Sequence, residues 1–531
     1  MRCVNVNFKG QTGRFWVNDP IAERVRRRAR PMRGAGRSIY GWTERQNAGV
    51  RCAQWNESPI LGSDIAKGKD GTDRPESNRR PMQRHRELKP WISPICIPTP
   101  TEVPMLALTV VVTLTVVITL IVVLVVANFS SGEKKVGHNI DRLYSSDDPQ
   151  FLRSMGLLLG PPVTSGNRYE VLLNGDRIFP AMLEGIRSAT RTITFETFIY
   201  WSGEIGQQFA DALSDQARAG IAVHVLLDWV GCSKMDHRYL DKLKRAGAEV
   251  IQYHRPHWSG LGRMNNRTHR KLLIIDGHTG FTGGVGIAEE WTGNAQDPQH
   301  WRDTHFRVEG PVVAHMQSVF MDNWIKASGN VLHGPAYFPE ITERADSGEG
   351  VAHMFGSSPT SGSDDMELMY LMSITAATHS IHLASAYFVP DGLAINALVE
   401  AARRGVKVRI VTPGKRIDTH TVREASRACW GDLLKAGVEI FEYQPTMFHC
   451  KLLVVDEYLV SVGSTNFDAR SFKLNDEANL NIYDREFARS QVAIVEADIA
   501  KSQQVTLDAW LHRPWPEKLI EKAVPLIDWQ L

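Results

Sequence analysis

Three stretches of different hydrophobic pattern follow one another along the chain. Residues 1–103 show no sustained apolar period, and Gly, Pro, Asn and Ser are scattered through them. Such a composition cannot bury enough surface to offset chain entropy, so a disordered arm is expected there. Met105 to Ala127 is uncharged over 23 residues, built from Val, Leu, Ile, Thr, Ala and one Met. At about 1.5 Å per residue it spans the roughly 30 Å hydrocarbon core of a bilayer. A transmembrane helix is therefore expected over 104–128, with 129–165 as a linker. Signal-peptide cores run only about 7–15 residues, which favours an uncleaved anchor. From about Tyr169 onward, short Val/Ile-rich runs alternate with helical patterns, the signature of an α/β domain.

The α/β part repeats itself. Ile186–Ile193 parallels Ile374–Ile381, Ala219–Val225 parallels Arg404–Ile410, and Leu243–Val250 parallels Leu433–Ile440, at offsets of 188, 185 and 190. Each copy reads helix, strand, helix, strand, helix, strand. Its strands are apolar on both faces, as in a parallel sheet covered by helices. Two similar α-β-α lobes, 166–345 and 346–531, packed about a pseudo-twofold axis, are the expected architecture.

Composition alters this picture in one respect. The whole chain, 531 residues with 43% hydrophobic and 23% charged, carries a net charge of only +2. That near-neutrality conceals a net +10 over residues 1–103 and −8 over the remainder. The acidic remainder argues against a general nucleic-acid surface. The basic arm reads as a solvated tail, with anionic lipid or nucleic acid as the rival partner; Met82 and Met105 are alternative starts, the second of which would remove the arm. Arg86 and Lys89 before the apolar stretch, against Lys134, Lys135 and Arg142 after it, leave its orientation open. The six cysteines have no regular spacing, and His254-x-x-His257 has no further ligand nearby, so neither a disulfide framework nor a metal site is expected.

The chemistry lies in a repeated H-x-K-x4-D. His269-Arg-Lys271 runs through Leu and Ile to Asp276, and His449-Cys-Lys451 runs through Leu and Val to Asp456, an offset of 180. Seven residues after each Asp comes a glycine-containing stretch, Gly283-Gly284-Val285-Gly286 and Gly463-Ser464-Thr465-Asn466. Side chains at i and i+2 of a strand share a face, so each His and Lys project together. Each Asp falls at the strand's far end, which suits a structural role better than a chemical one. Twofold packing would join two His and two Lys in one cleft. That set suits phosphodiester chemistry without metal or other cofactor: one imidazole attacks, the other donates a proton, and two ammonium groups stabilise the developing charge. Ser464 and Asn466 can add hydrogen bonds. Gly284 and Gly286 stand at the matching places of the first copy, where backbone N–H groups are the available substitutes.

These residues resemble those of the phospholipase D superfamily, and within it the bacterial cardiolipin synthases. The similarity covers about residues 166–513 and includes Trp301-Arg-Asp303-Thr-His305, Tyr387-Phe-Val-Pro-Asp391, Asn466-Phe-Asp468-x-Arg470-Ser471 and Asn475-Asp-Glu477. The resemblance implies His269 as nucleophile forming a phosphohistidine, His449 as general acid and base, and Lys271 and Lys451 as phosphate holders. Asp276 and Asp456 complete the candidate catalytic set. It also implies a carboxylate downstream of each motif that orients its imidazole. Glu477 matches this place after the second motif; after the first, Asp303 is the candidate and Glu309 the runner-up, a surface ion pair being the competing reading for both.

The resemblance, with the apolar stretch, implies a single-pass enzyme of a bacterial inner membrane that joins phosphatidylglycerol molecules into cardiolipin. A hydrolytic phospholipase D uses the same phospho-enzyme with water. A nuclease of the superfamily and a non-enzymatic membrane scaffold are the remaining classes, disfavoured by the acidic charge and by the two intact motifs respectively. Arg255, Arg263, Arg267 and Arg270 are candidates for a second lipid phosphate, or else belong to a solvated loop. Trp510, Trp515 and Trp529 mark a tail that either meets the membrane interface or packs on the second lobe.

Overall fold

The computed structural model describes residues 2–8, 11–17, 102–129, 136–255, 266–340, 349–358, 365–514 and 518. The chain divides into two compact units, Met1–Ile97 and Pro98–Leu531. In the first, β1 (Arg2–Phe8) and β2 (Gln11–Val17) pair antiparallel, Arg2 opposite Val17 and Phe8 opposite Gln11. This departs from an arm without regular structure. The local reason is the alternation of Val4, Val6 and Phe8 with polar residues over a run too short to register as sustained.

The second unit opens with a 28-residue helix, Glu102–Phe129. Thr113 and Thr115 direct their hydroxyls to the carbonyls of Thr109 and Val111, both at 2.8 Å, so these polar groups are satisfied within the helix. Its side chains are described over 107–123 and are exposed. Among the described residues no helix is long and apolar enough to cross a membrane. The expected linker is more than a linker. It contains a helix, Pro149–Leu158, capped by Asp148, and Phe151 and Met155 bury in the core beside Met366, Met369 and Tyr370.

Most of the remaining strands form one large sheet. In chain order they are β3 (Thr164–Leu173), β4 (Thr192–Thr197), β5 (Ala222–Asp228), β6 (Glu249–Tyr253), β7 (Arg267–Thr268), β8 (Leu272–Ile275), β9 (Thr279–Gly283) and β10 (Thr304–Glu309). The second copy adds β11 (Gly350–Ser357), β12 (Ser380–Ser385), β13 (Phe388–Val389), β14 (Lys407–Pro413), β15 (Glu439–Tyr443), β16 (Lys451–Val455), β17 (Leu459–Gly463), β18 (Phe467–Asp468), β19 (Asn475–Tyr483) and β20 (Ser502–Val505). The sheet order is β6-β5-β4-β8-β9-β10-β3-β11-β19-β17-β16-β12-β14-β15-β20. Apart from β20, it reads alike from either end. β13 and β18 pair with each other in a separate two-stranded sheet, and β7 pairs only with β19.

The sheet is mixed, not parallel as expected. β4, β5 and β6 pair parallel, but β8 runs antiparallel to both β4 and β9. The cause is the turn after each motif. Asp276 (φ 53°) and Gly277 (φ 67°) occupy the left-handed region, and so do Asp456 (φ 53°) and Glu457 (φ 47°), folding each motif strand back on itself. Helices cover both faces. One apolar cluster belongs to each copy, and a third joins the copies, with Leu272, Val308, Phe320 and Trp324 of the first beside Leu452, Leu480 and Val495 of the second.

Candidate active site

The two histidines stand at the starts of the motif strands, β8 and β16. His269 and His449 are 8% and 6% exposed, and Lys271 and Lys451 are each 3% exposed. Each ammonium donates to the carbonyl of its own histidine, Lys271 Nζ at 2.6 Å and Lys451 Nζ at 2.7 Å. The shared face that the i, i+2 spacing predicts is therefore present in both motifs.

The carboxylates are exchanged between the copies. His269 Nδ1 lies 3.0 Å from Glu477 Oε1, and His449 Nδ1 lies 2.8 Å from Asp303 Oδ2. The assignment by sequence order, Glu477 with the second motif and Asp303 with the first, is thus reversed. The backbone explains it. Asp476 pairs in parallel register with Thr268, and the His269 N–H donates to the Asp476 carbonyl at 2.9 Å. Arg302 bridges to Phe448 in the same sense, and the His449 N–H donates to the Arg302 carbonyl at 2.8 Å. Each segment leading into a carboxylate runs beside the segment leading into the opposite histidine. Asp303 and Glu477 occupy equivalent places, two residues before the partners of Gly283 and Gly463. Glu309 is half-exposed and pairs with Arg307 at 2.8 Å, so the runner-up is a surface ion pair.

Asp276 and Asp456 do not belong with the catalytic set. Asp276 accepts from the N–H groups of Thr190, Arg191 and Thr192 at 2.7–2.9 Å, and from the Thr190 hydroxyl. Asp456 does the same for Thr378, His379 and Ser380, and also accepts from Ser146. Both brace the entry to a parallel strand at the end of the motif strand remote from the histidines.

The glycine-rich stretches need similar correction. Ser464 donates to Glu477 and accepts from the Ala478 N–H at 3.0 Å, so its hydroxyl holds the orienting carboxylate. Gly284 N–H donates to the Thr304 carbonyl at 3.2 Å and is not a spare phosphate donor. A Cβ at Gly284 would lie 2.3 Å from Asp303 Oδ1, and one at Gly286 would lie 2.7 Å from Ile199 Cβ. Both glycines are there for space. In place of a serine, Trp291 Nε1 donates to Asp303 Oδ2 at 2.9 Å. Asn466 is buried, and its Oδ1 has no partner among the described residues.

Three aromatic residues complete the site without having been assigned a role from sequence. Phe198 meets the His269 ring edge-on at 5.2 Å. Trp291 and Trp301 flank His449 at 5.2 and 5.6 Å. They exclude water, and burial has its usual effect on charge. Burial, opposed by Glu477 and reinforced by Lys271, pushes His269 down to about 4. Burial and Lys451 push His449 down to about 3 against the pull of Asp303. Burial pushes Lys271 down to about 7. Burial alone would push Asp303 and Glu477 up, but the facing histidines and lysines outweigh it and hold both carboxyls below the ordinary range.

Of the four arginines noted upstream, Arg270 is 1% exposed and spent on internal bonds, Arg255 is exposed, Arg267 is half-buried, and Arg263 lies outside the described residues. Trp510 packs in the second copy's core, whereas Trp515 and Trp529 lie outside the described residues. No group of residues able to hold a metal occurs among the described residues; His257 is outside them. Among the described residues, Cys232, Cys429 and Cys450 take part in no disulfide.

The family described as "Cardiolipin synthase, PLD-like domain" matches residues 182–324 and 370–499, each span containing one motif. The chain belongs to this family. Cardiolipin synthase 2 of Bacillus anthracis is 34% identical over 67% of this chain and 69% of its own. Cardiolipin synthase of Geobacillus kaustophilus (strain HTA426) is 35% identical over 73% of this chain and 77% of its own. Among solved structures, a phosphatidylserine synthase of Haemophilus influenzae Rd KW20 shares the fold, with a TM-score of 0.55 at 14% identity over 72% of this chain and all of that one.

Proposed function

We propose that this family member is a membrane-held phosphatidyltransferase that converts two phosphatidylglycerol molecules into cardiolipin and glycerol. The observation that carries the reading is the reciprocal clip of the two imidazoles. A buried carboxylate takes Nδ1 of each and fixes the ring; Nε2, which at His449 lies 3.3 Å from Lys451 Nζ, is the nitrogen that meets the reacting phosphate in this reading.

In this reading His269 Nε2 attacks phosphorus, the bond to the leaving glycerol oxygen breaks, and His449 gives that oxygen its proton. The hydroxyl of a second phosphatidylglycerol then loses its proton to His449 and attacks phosphorus, and the phosphorus–nitrogen bond breaks. Burial and the neighbouring lysines disfavour the charged form of both histidines in the empty site. An anionic phosphate beside Lys271 and Lys451 offsets their charge, so His449 regains a proton as substrate binds, with Asp303 stabilising the imidazolium. The two equivalent copies stand as lobes about a pseudo-twofold axis, and the 104–128 stretch serves as the single-pass anchor. Asn466 supplies a side-chain contact to the phosphate.

Purified full-length protein incubated with phosphatidylglycerol vesicles tests this. Cardiolipin and free glycerol in equal amounts are expected. Phosphatidic acid without cardiolipin would replace the reading with a hydrolytic phospholipase D.

A further inference from the structure

The two orienting carboxylates have a second feature in common. A buried arginine binds the backbone carbonyl of each. Arg302 donates through Nη1 to the Asp303 oxygen at 2.7 Å, and Arg270 donates through Nε to the Glu477 oxygen at 3.2 Å. Behind each guanidinium stands an aspartate on a helix. Arg302 grips Asp498, on helix Arg485–Ile499, with Nε and Nη2 at 3.0 and 2.8 Å. Arg270 reaches Asp322, on helix Val312–Ser328, at 3.1 Å and also binds the carbonyls of Val319 and Ser357. The arginines are 5% and 1% exposed.

Their places in the two copies are not equivalent. Arg270 follows the first histidine, where the second copy has Cys450. Arg302 precedes the first carboxylate, where the second copy has Asp476. The copies thus make the same contact from different sequence positions. A cross-link needed only to hold the core together has no reason to end on this particular carbonyl twice.

We infer that Arg302 and Arg270 are positioning residues, one for each histidine: Arg302 aims Asp303 at His449, and Arg270 aims Glu477 at His269. The inference rests on the reading of both histidines as working groups. Anchoring a residue's carbonyl restrains its peptide plane and with it the Cα–Cβ direction; the short Asp303 side chain then has little freedom left, and the longer Glu477 is further held by Ser464 and Asn475. A planar guanidinium can bind both Asp498 oxygens and the Asp303 carbonyl together; a lysine ammonium lacks that fork. Asp498 balances the Arg302 charge, so the effect on His449 is one of geometry.

The test is the pair Arg302→Met with Asp498→Leu, which removes both charges together and leaves none buried alone. Arg302→Lys serves as the milder companion that keeps the charge. Nitrogen-15 spectra of histidine-labelled full-length protein, assigned with His269→Ala and His449→Ala, report each imidazole without any lipid. In the double variant the His449 signal and titration shift while those of His269 stay. In the phosphatidylglycerol assay kcat falls at least tenfold with KM within twofold, and Arg302→Lys falls between. Arg270→Met with Asp322→Leu reverses the pattern. Unchanged histidines and kcat in the folded variants would overturn the inference, and so would equal shifts at both histidines, the sign of general loosening. Should the chain transfer some other group, the spectra still decide the question.

Discussion

Gly284→Ala adds one methyl group at a position that touches neither histidine. The new Cβ would lie 2.3 Å from Asp303 Oδ1 and 2.6 Å from Oδ2, against about 3.4 Å for ordinary contact. The carboxylate therefore has to retreat by about 1 Å. It has little slack, being 1% exposed and held by His449 at 2.8 Å, Trp291 at 2.9 Å and the Thr304 N–H at 2.8 Å. A retreat of that size stretches the His449 bond beyond the roughly 3.5 Å at which it ceases to be a hydrogen bond. Misplacing a group in a reacting site by about 1 Å costs on the order of 100-fold in rate, or roughly 2.7 kcal/mol in the barrier. Phosphatidylglycerol turnover by purified Gly284→Ala is thus expected to fall about 100-fold in kcat, with thermal unfolding followed in parallel. Gly284→Ser, which copies Ser464 of the other half, should be no better, because the Trp291 donor already occupies the serine's place. A Gly284→Ala enzyme with kcat within twofold of the parent would refute the reasoning.

Asp276→Ala should behave in the opposite way. Removing an acceptor of four bonds, three of them from backbone N–H groups, is expected to lower stability by roughly 2–4 kcal/mol in chemical denaturation while leaving kcat of the folded enzyme within threefold. A large loss of kcat at unchanged stability would return Asp276 to the catalytic set. Lys271 supplies the pH prediction. Its ammonium, with burial pushing it down to about 7, is charged below that pH and neutral above it. Phosphate capture by the free enzyme should weaken as pH rises through that value, so kcat/KM falls on the alkaline side. Lys271→Arg, charged throughout, should flatten that limb even where its overall rate is lower. An alkaline limb that stays in place in this variant would assign the ionisation to another group.

The residues that gather in the site were largely legible in the sequence, because a duplicated chain prints its chemistry twice. The His and Lys of each motif needed only the two-residue period of a strand to be placed together. The pairing of carboxylates with histidines was not legible. Distance along the chain favours a partner in the same copy, whereas the parallel contacts of Asp476 with Thr268 and of Arg302 with Phe448 cross between copies. The strand directions failed for a different reason. Leu272–Ile275 and Leu452–Val455 are apolar on both faces whether their neighbours run parallel or antiparallel. The available signal was Asp276-Gly277 between two apolar runs, a hairpin turn in the first copy, with Glu457 in place of the glycine weakening it in the second. Phe198 offered no signal at all, since an aromatic residue beyond a buried strand is ordinary in any core.

The crossed carboxylates also bear on how such a protein can change over time. A duplication normally frees one copy to drift while the other keeps the old work. Here that freedom is absent at the site, because Glu477 serves a histidine in the other copy and Asp303 returns the service. On the proposed mechanism a lesion in either half disarms both. The unit that must be inherited intact is larger than the unit that was duplicated, and differences between the copies around the pairing, such as Ser464 against Gly284 or Cys450 against Arg270, leave both histidine–carboxylate contacts in place.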